Sequence, residues 1–223
     1  MEKRIEFVRL PTLWIRQGRL NSFTWDKGKG AANIAALQVL VVLAHNRNAV
    51  TGVSRATYEE LKRATGRSGT LIADGLERLL EEKIITRVRR SEYTLDDGDG
   101  RWGKLPWKSM YNANGEIPAF VASGLRVVAE LDAMKFFMQV VSGRDNGLNA
   151  ALMSYETITK YTGIPRSRIN KTHSWLVGND LIAIDQYNPL TNHRPPNAYR
   201  LRGIDARTHR ATVSHDRALP EVI

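Results

Sequence analysis

The 223-residue chain has no cysteine. Disulfides and thiolate metal sites are therefore excluded, and the composition fits a reducing compartment. It also lacks any apolar run near the roughly 20 residues that span a bilayer. The longest apolar run, residues 34–44, is interrupted by Gln38. The N-terminus (Met-Glu-Lys-Arg) lacks the apolar stretch of a secretion signal. No Gly-x-x-x-x-Gly-Lys-Ser/Thr is present, which argues against an ATP-driven initiator or helicase. The five histidines (45, 173, 193, 209 and 215) show no ligand spacing, and His173 reads as a packed core or interface residue. Gly98-x-Gly100-x-x-Gly103 has dinucleotide-fingerprint spacing, but Lys-Leu-Pro106 follows where a helix would have to begin. The aspartates of that loop have no closing glutamate for a calcium loop. Glu81-x-Lys83, a nuclease-like fragment, has no partnered aspartate before a strand. Tryptophans 14, 25, 102, 107 and 175 are scattered and form no stacking platform, and Trp107 and Trp175 read as packing residues.

The chain does carry base and a repeat. Lysine and arginine number 33 against 23 acids, for a net charge of +10. A polyanionic partner is expected, nucleic acid before a membrane surface. Residues 36–87 align without a gap onto 133–184 at an offset of 97. Tyr58-Glu59 falls on Tyr155-Glu156, Thr65-Gly66 on Thr162-Gly163, Ile72 on Ile169 and Leu79 on Leu176. Two copies of one unit imply two similar domains.

Each copy reads in the same order. An almost wholly apolar helix at 34–45, matched by a buried helix at 131–141 with Phe136, Phe137 and Met138, precedes a polar, turn-prone stretch (46–55 in the first). Thr57 caps a short helix and Glu60 stands at capping-box spacing; Ser154 takes the cap in copy two. Gly66 and Gly163 end those helices with positive φ. A third helix follows (68–82; opened by Pro165 in copy two), with Ile72, Leu76, Leu79 and Leu80, or Ile169, Leu176 and Val177, facing inward. A β-branched strand (84–88; 181–187) comes next. Copy two adds a proline-rich tip (188–197) and a returning strand (198–202). The expected fold class is mainly α with small β-hairpins, an α+β protein. Residues 1–95 form the first domain with its lead-in and 96–116 a linker or connecting strand, Asp96 to Gly100 being a turn. Residues 117–203 form the second domain and 204–223 a mobile tail.

Helix, helix, tight turn, helix and hairpin is the order of a winged helix-turn-helix domain, in which the third helix can enter a major groove about 12 Å wide. Thr-Gly followed at a spacing by Ile, a leucine pair and Ile-Ile is similar to winged-helix regulators. Phe7-Val8-Arg9-Leu10-Pro11, echoed by Lys104-Leu105-Pro106, resembles plasmid and phage replication initiators. The resemblance covers roughly residues 5–202, and such initiators often carry two winged helices in tandem. It implies non-catalytic, sequence-preferring binding of double-stranded DNA at origin repeats, with no cofactor and no metal. Implied partners are duplex DNA and host replication or transcription proteins, with homodimerisation a further option and no membrane. The implied location is the cytoplasm, with the nucleoid or plasmid. A transcription regulator, dimeric on an operator, and a protein-binding adaptor are the alternatives.

Candidate DNA contacts lie on each third helix and hairpin. In copy two these are Arg166, Ser167, Arg168, Asn170, Lys171, Ser174 and Arg194. Arginine and lysine suit guanine, and asparagine suits adenine. Residues 164–202 hold six lysines and arginines against Asp180 and Asp185. In copy one the candidates are Arg67, Ser68, Thr70, Arg87, Arg89 and Arg90, but Asp74 and Glu77 share the helix face and repel phosphate. The expected division of labour has copy two reading bases and copy one gripping backbone or protein; dimerisation is the competing role for copy one. The lead-in bases Lys3, Arg4, Arg9, Arg16, Arg19, Lys27 and Lys29 either extend the footprint or face solvent.

Overall fold

The computed structural model describes residues 6–26, 28–186 and 197–204. Arg194, the lead-in bases Lys3, Arg4 and Lys27, most of the proline-rich tip and residues 205–223 of the tail lie outside them. In chain order the elements are β1 (Phe7–Pro11), α1 (Leu13–Arg16), a 3-10 turn (Arg19–Ser22), α2 (Gly30–His45), β2 (Val53–Arg55), α3 (Tyr58–Thr65), α4 (Gly69–Glu81), β3 (Ile85–Arg89) and β4 (Glu92–Leu95). Then follow β5 (Trp102–Pro106), a second 3-10 turn (Lys108–Met110), α5 (Pro118–Val121), α6 (Val128–Gly143), β6 (Ala151–Met153), α7 (Tyr155–Thr162), α8 (Arg166–Gly178), β7 (Ile182–Gln186) and β8 (Asn197–Leu201). The protein is α+β, mainly helical with small antiparallel sheets. Among the described residues no helix is long and apolar enough to cross a membrane.

The repeat is reproduced element by element. α3 and α7, α4 and α8, and β3 and β7 correspond at the offset of 97. Local chemistry explains the match. Thr57 Oγ1 accepts the Glu60 N–H at 3.2 Å while the Glu60 carboxylate accepts the Thr57 N–H at 2.7 Å, a complete capping box. In the second unit Ser154 Oγ accepts the Thr157 N–H at 3.2 Å. Gly66 (φ 71°) and Gly163 (φ 68°) close α3 and α7 in the left-handed region that their lack of Cβ allows. Thr65 and Thr162 each donate to the carbonyl four residues back at 2.6 Å. Lys83 and Asp180, also 97 apart, both turn the chain from third helix to strand with φ of 52° and 53°.

Two features depart from the sequence reading. The polar stretch after the first helix holds a three-residue strand in each unit, β2 and β6, completing sheets of order β2-β4-β3 and β6-β8-β7. Pro165 is the N-cap of α8, one position before the helix it was expected to open.

The segment between the units, read from the sequence as a linker or connecting strand, holds the strand β5. β5 pairs antiparallel with β1, with Phe7 opposite Pro106 and Arg9 opposite Lys104. Leu10 and Leu105 are fully buried beneath this ribbon. At Gly103 an added Cβ would fall 2.3 Å from the Val141 carbonyl oxygen, so only glycine lets β5 seat on α6. The lead-ins then cross over. The lead-in to unit two reaches α3 of unit one, where Ile117 N–H donates to Ala64 O at 2.9 Å. The lead-in to unit one reaches α7 of unit two, where Asn21 Nδ2 donates to Lys160 O at 3.2 Å. Phe23 and Phe120, again 97 apart, each have their carbonyl captured by a buried cation: Lys135 Nζ for Phe23 at 3.0 Å, and the Arg67 guanidinium for Phe120. The exchange is reciprocal, like a two-fold dimer written in one chain. One continuous apolar cluster accordingly runs through both units, with α2 and α6 buried at its centre.

Candidate nucleic-acid interface

α8 is presented by what lies beneath it. Ile169, Thr172, His173 and Leu176 are buried, and His173 sits among the rings of Phe136, Tyr155 and Tyr199; Val177, expected on this inner face, is 44% exposed, one residue past Leu176 on the helical turn. Burial lowers the pKa of His173 to about 4, so it is neutral near pH 7. With that face fixed, the turn of about 100° per residue leaves Arg166, Ser167, Asn170, Lys171 and Ser174 exposed together. Five of the seven residues expected from the sequence share this surface. Tyr155, at the start of α7, organises two of them, a role the sequence reading did not assign. Its hydroxyl donates to Asn170 Oδ1 at 2.8 Å, and the Arg166 guanidinium lies over its ring at 5.3 Å. Asn170 Oδ1 has a second lone pair and its amide N–H groups remain, so it can still pair with a base edge. Ser174 Oγ donates back to Asn170 O at 3.1 Å, leaving its oxygen as an acceptor. Among the described residues Arg166 and Lys171 form no salt bridge.

Arg168 differs from its neighbours. Its Nε lies 2.9 Å from Asp132 Oδ2, whose side chain is only 2% exposed. Burial raises the Asp132 pKa, and Arg168 with Lys135 opposes the rise. Arg168 therefore ties α8 to α6 and has limited freedom to leave for phosphate. On the hairpin behind α8, Arg200 pairs with Asp185 at 2.5 Å and Arg202 with Asp180 at 3.1 Å.

Unit one presents another surface. Arg67, expected to face a groove, is buried at 9% exposure. Its Nε donates to Gln38 Oε1 at 3.0 Å, and its far nitrogen reaches the Phe120 carbonyl. The correction has a simple cause: the crossing lead-in covers the start of α4 and supplies that carbonyl. Ser68 is exposed, but its Oγ is the N-cap of α4, accepting from Leu71 N–H at 3.3 Å. Thr70 is exposed beside Asp74 and Glu77. Arg78 is held by Glu81, Glu82, Asn33 and the Ser22 carbonyl, so the helix offers no free guanidinium there.

The basic charge of unit one sits on its hairpin, as expected, but is partly neutralised. Arg89 pairs with Glu92 at 2.5 Å and Arg55 with the same carboxylate at 2.6 Å. Hydrogen bonds from Arg89, then Arg55, hold the Glu92 carboxyl below its usual range. Arg87 lies over the Tyr93 ring at 5.7 Å. Arg90, at the tip beside left-handed Ser91, is exposed and forms no salt bridge among the described residues.

No group of three histidine, aspartate or glutamate side chains that could hold a metal occurs among the described residues. No protein-family model, no curated protein sequence and no solved structure matches this chain.

Proposed function

We propose that the two units are winged helix-turn-helix domains in tandem and that the protein binds double-stranded DNA with sequence preference, without catalysis. The observation that carries the reading is the outer face of α8. Arg166, Asn170 and Lys171 stand exposed on one side of a helix braced by α7 through a left-handed glycine turn. Arginine and lysine donate to guanine O6 and N7, while an asparagine amide accepts from adenine N6–H and donates to N7. The helix–strand–helix–helix–strand–strand order of each unit supports the reading, as does the net charge of +10. Within this reading the role closest to the sequence resemblance is a plasmid or phage replication initiator acting on origin repeats.

A second role for unit one is favoured by its own surface. With Arg67 buried and Asp74 and Glu77 outward, α4 is poorly matched to a phosphate-lined groove. Unit one then contributes backbone contacts through Arg90 and otherwise meets protein. Selection of bound fragments from the DNA that encodes the protein, at about 150 mM salt, tests the proposal. Enrichment of one locus with tandem repeats is the expected result. A single promoter operator would favour a transcription regulator, and no enriched sequence would overturn sequence-preferring binding.

A further inference from the structure

The β1–β5 ribbon has an outer face that the two third helices do not use. Its inner face carries Leu10, Leu105 and Gly103 against the core. The strand alternation turns Phe7, Arg9, Trp102 and Lys104 the other way. Arg9 and Lys104 are directly opposite each other in the antiparallel register. Like charges so placed destabilise a sheet by a few tenths to about 1 kcal/mol. Among the described residues neither forms a salt bridge that would relieve the repulsion. Each cation is instead positioned by the ring of the other strand. The Arg9 guanidinium lies 4.5 Å from the Trp102 ring centre, and Lys104 Nζ lies 4.7 Å from that of Phe7. The rings are stacked, 6.4 Å apart and nearly parallel, and Trp102 remains 38% exposed.

Arg144, just past α6, has its guanidinium held by Asn149 and Asn146. Burial, and then repulsion from Arg144, lowers the Lys104 pKa. Two cations set directly opposite each other on a glycine-seated ribbon suit an anion that spans both strands. The ribbon joins the two lead-ins at the centre of the reciprocal exchange, so such an anion would lie between the units.

We propose that this face is a third nucleic-acid contact, at which Arg9 and Lys104 grip the phosphodiester backbone of duplex DNA. The inference rests on the DNA-binding reading of α8, but its contact is independent of base sequence. The test titrates wild type and R9Q/K104Q with a labelled mixed-sequence duplex at salt concentrations from roughly 50 to 300 mM. Each phosphate contact contributes about 0.9 to the slope of log K against log salt. The variant is expected to lose about two from that slope and roughly ten-fold in affinity at low salt. Its thermal midpoint is expected to change little, because the opposed charges and the two cation–ring contacts are lost together. An unchanged slope overturns the proposal, and an unchanged slope with a lower midpoint assigns the two cations to folding alone. If wild type fails to bind duplex at any salt, the α8 reading falls as well, an outcome distinct from loss of the ribbon contact only.

Discussion

Replacing Arg67 with methionine separates architecture from recognition. Arg67 stands at the start of a helix that would enter DNA, yet its guanidinium joins Gln38 of α2 to the Phe120 carbonyl of the opposite lead-in. Methionine retains much of the aliphatic volume and removes both hydrogen bonds. Gln38 and Phe120 are 0% exposed, so water cannot replace the lost donor. The Phe120 carbonyl keeps the Ser123 N–H at 3.0 Å, so the Gln38 amide oxygen is the acceptor left stranded, at about 1–3 kcal/mol, and loss of the charged bond to Phe120 adds about 1–2 kcal/mol. Removing a buried charge returns some desolvation energy. A net loss of about 2–4 kcal/mol is expected, which in a chain of this size lowers the thermal midpoint by roughly 5–15 °C. Scanning calorimetry measures the midpoint, and duplex binding well below the transition measures recognition. Affinity is expected to stay within about two-fold of wild type, a difference under 0.5 kcal/mol. An unchanged midpoint with weakened DNA binding would refute the assignment and return Arg67 to the interface.

Gly163→Ala places a side chain at φ 68° with an added Cβ 2.5 Å from Asn21 Oδ1, and should cost about 1–3 kcal/mol by denaturant unfolding. Gly178→Ala, at the open end of α8, should be neutral or slightly stabilising in the same assay. Burial lowers the pKa of both His45 and His173 from 6.5 to about 4. Between these values the unfolded chain binds protons that the folded chain refuses. Stability is therefore full above pH 6.5 and falls as the pH drops towards 4, by about 1.4 kcal/mol per histidine at pH 5.5. Unfolding midpoints measured from pH 7.5 to 5 check this, and a flat profile would contradict it. On the first hairpin, Arg90→Ala should weaken duplex binding more than Arg89→Ala, because Glu92 already neutralises Arg89. Equal losses in a binding titration would contradict that ranking.

Local chemistry was legible wherever it was repeated. The Thr57 and Ser154 caps, the glycine turns and the inward Ile169 and Leu176 follow from spacing, because short-range hydrogen bonds and helical periodicity decide them. β2 and β6 were not legible, since three residues carry too little alternation to stand out from a loop. Arg67 and Arg168 were read as outward because helical phase cannot see the partners that hold them. Phe120 lies 53 residues beyond Arg67, and Asp132 lies 36 residues before Arg168. The β1–β5 pairing joins segments nearly a hundred residues apart. The similarity of the two lead-ins was visible, but not that they pair or exchange partners. Within the α8 surface the missing signal was Tyr155. Its match to Tyr58 in the repeat concealed a role it has only where Asn170 and Arg166 stand opposite it.

The most direct test of the central claim compares wild type with N170A/K171A on two duplexes, the sequence recovered by fragment selection and its scrambled form, at about 150 mM salt. Wild type is expected to prefer the selected duplex by at least ten-fold, about 1.4 kcal/mol, while the variant binds both with similar, weakened affinity. If wild type bound the two duplexes equally, or the variant kept the preference, α8 would not be the element that reads DNA.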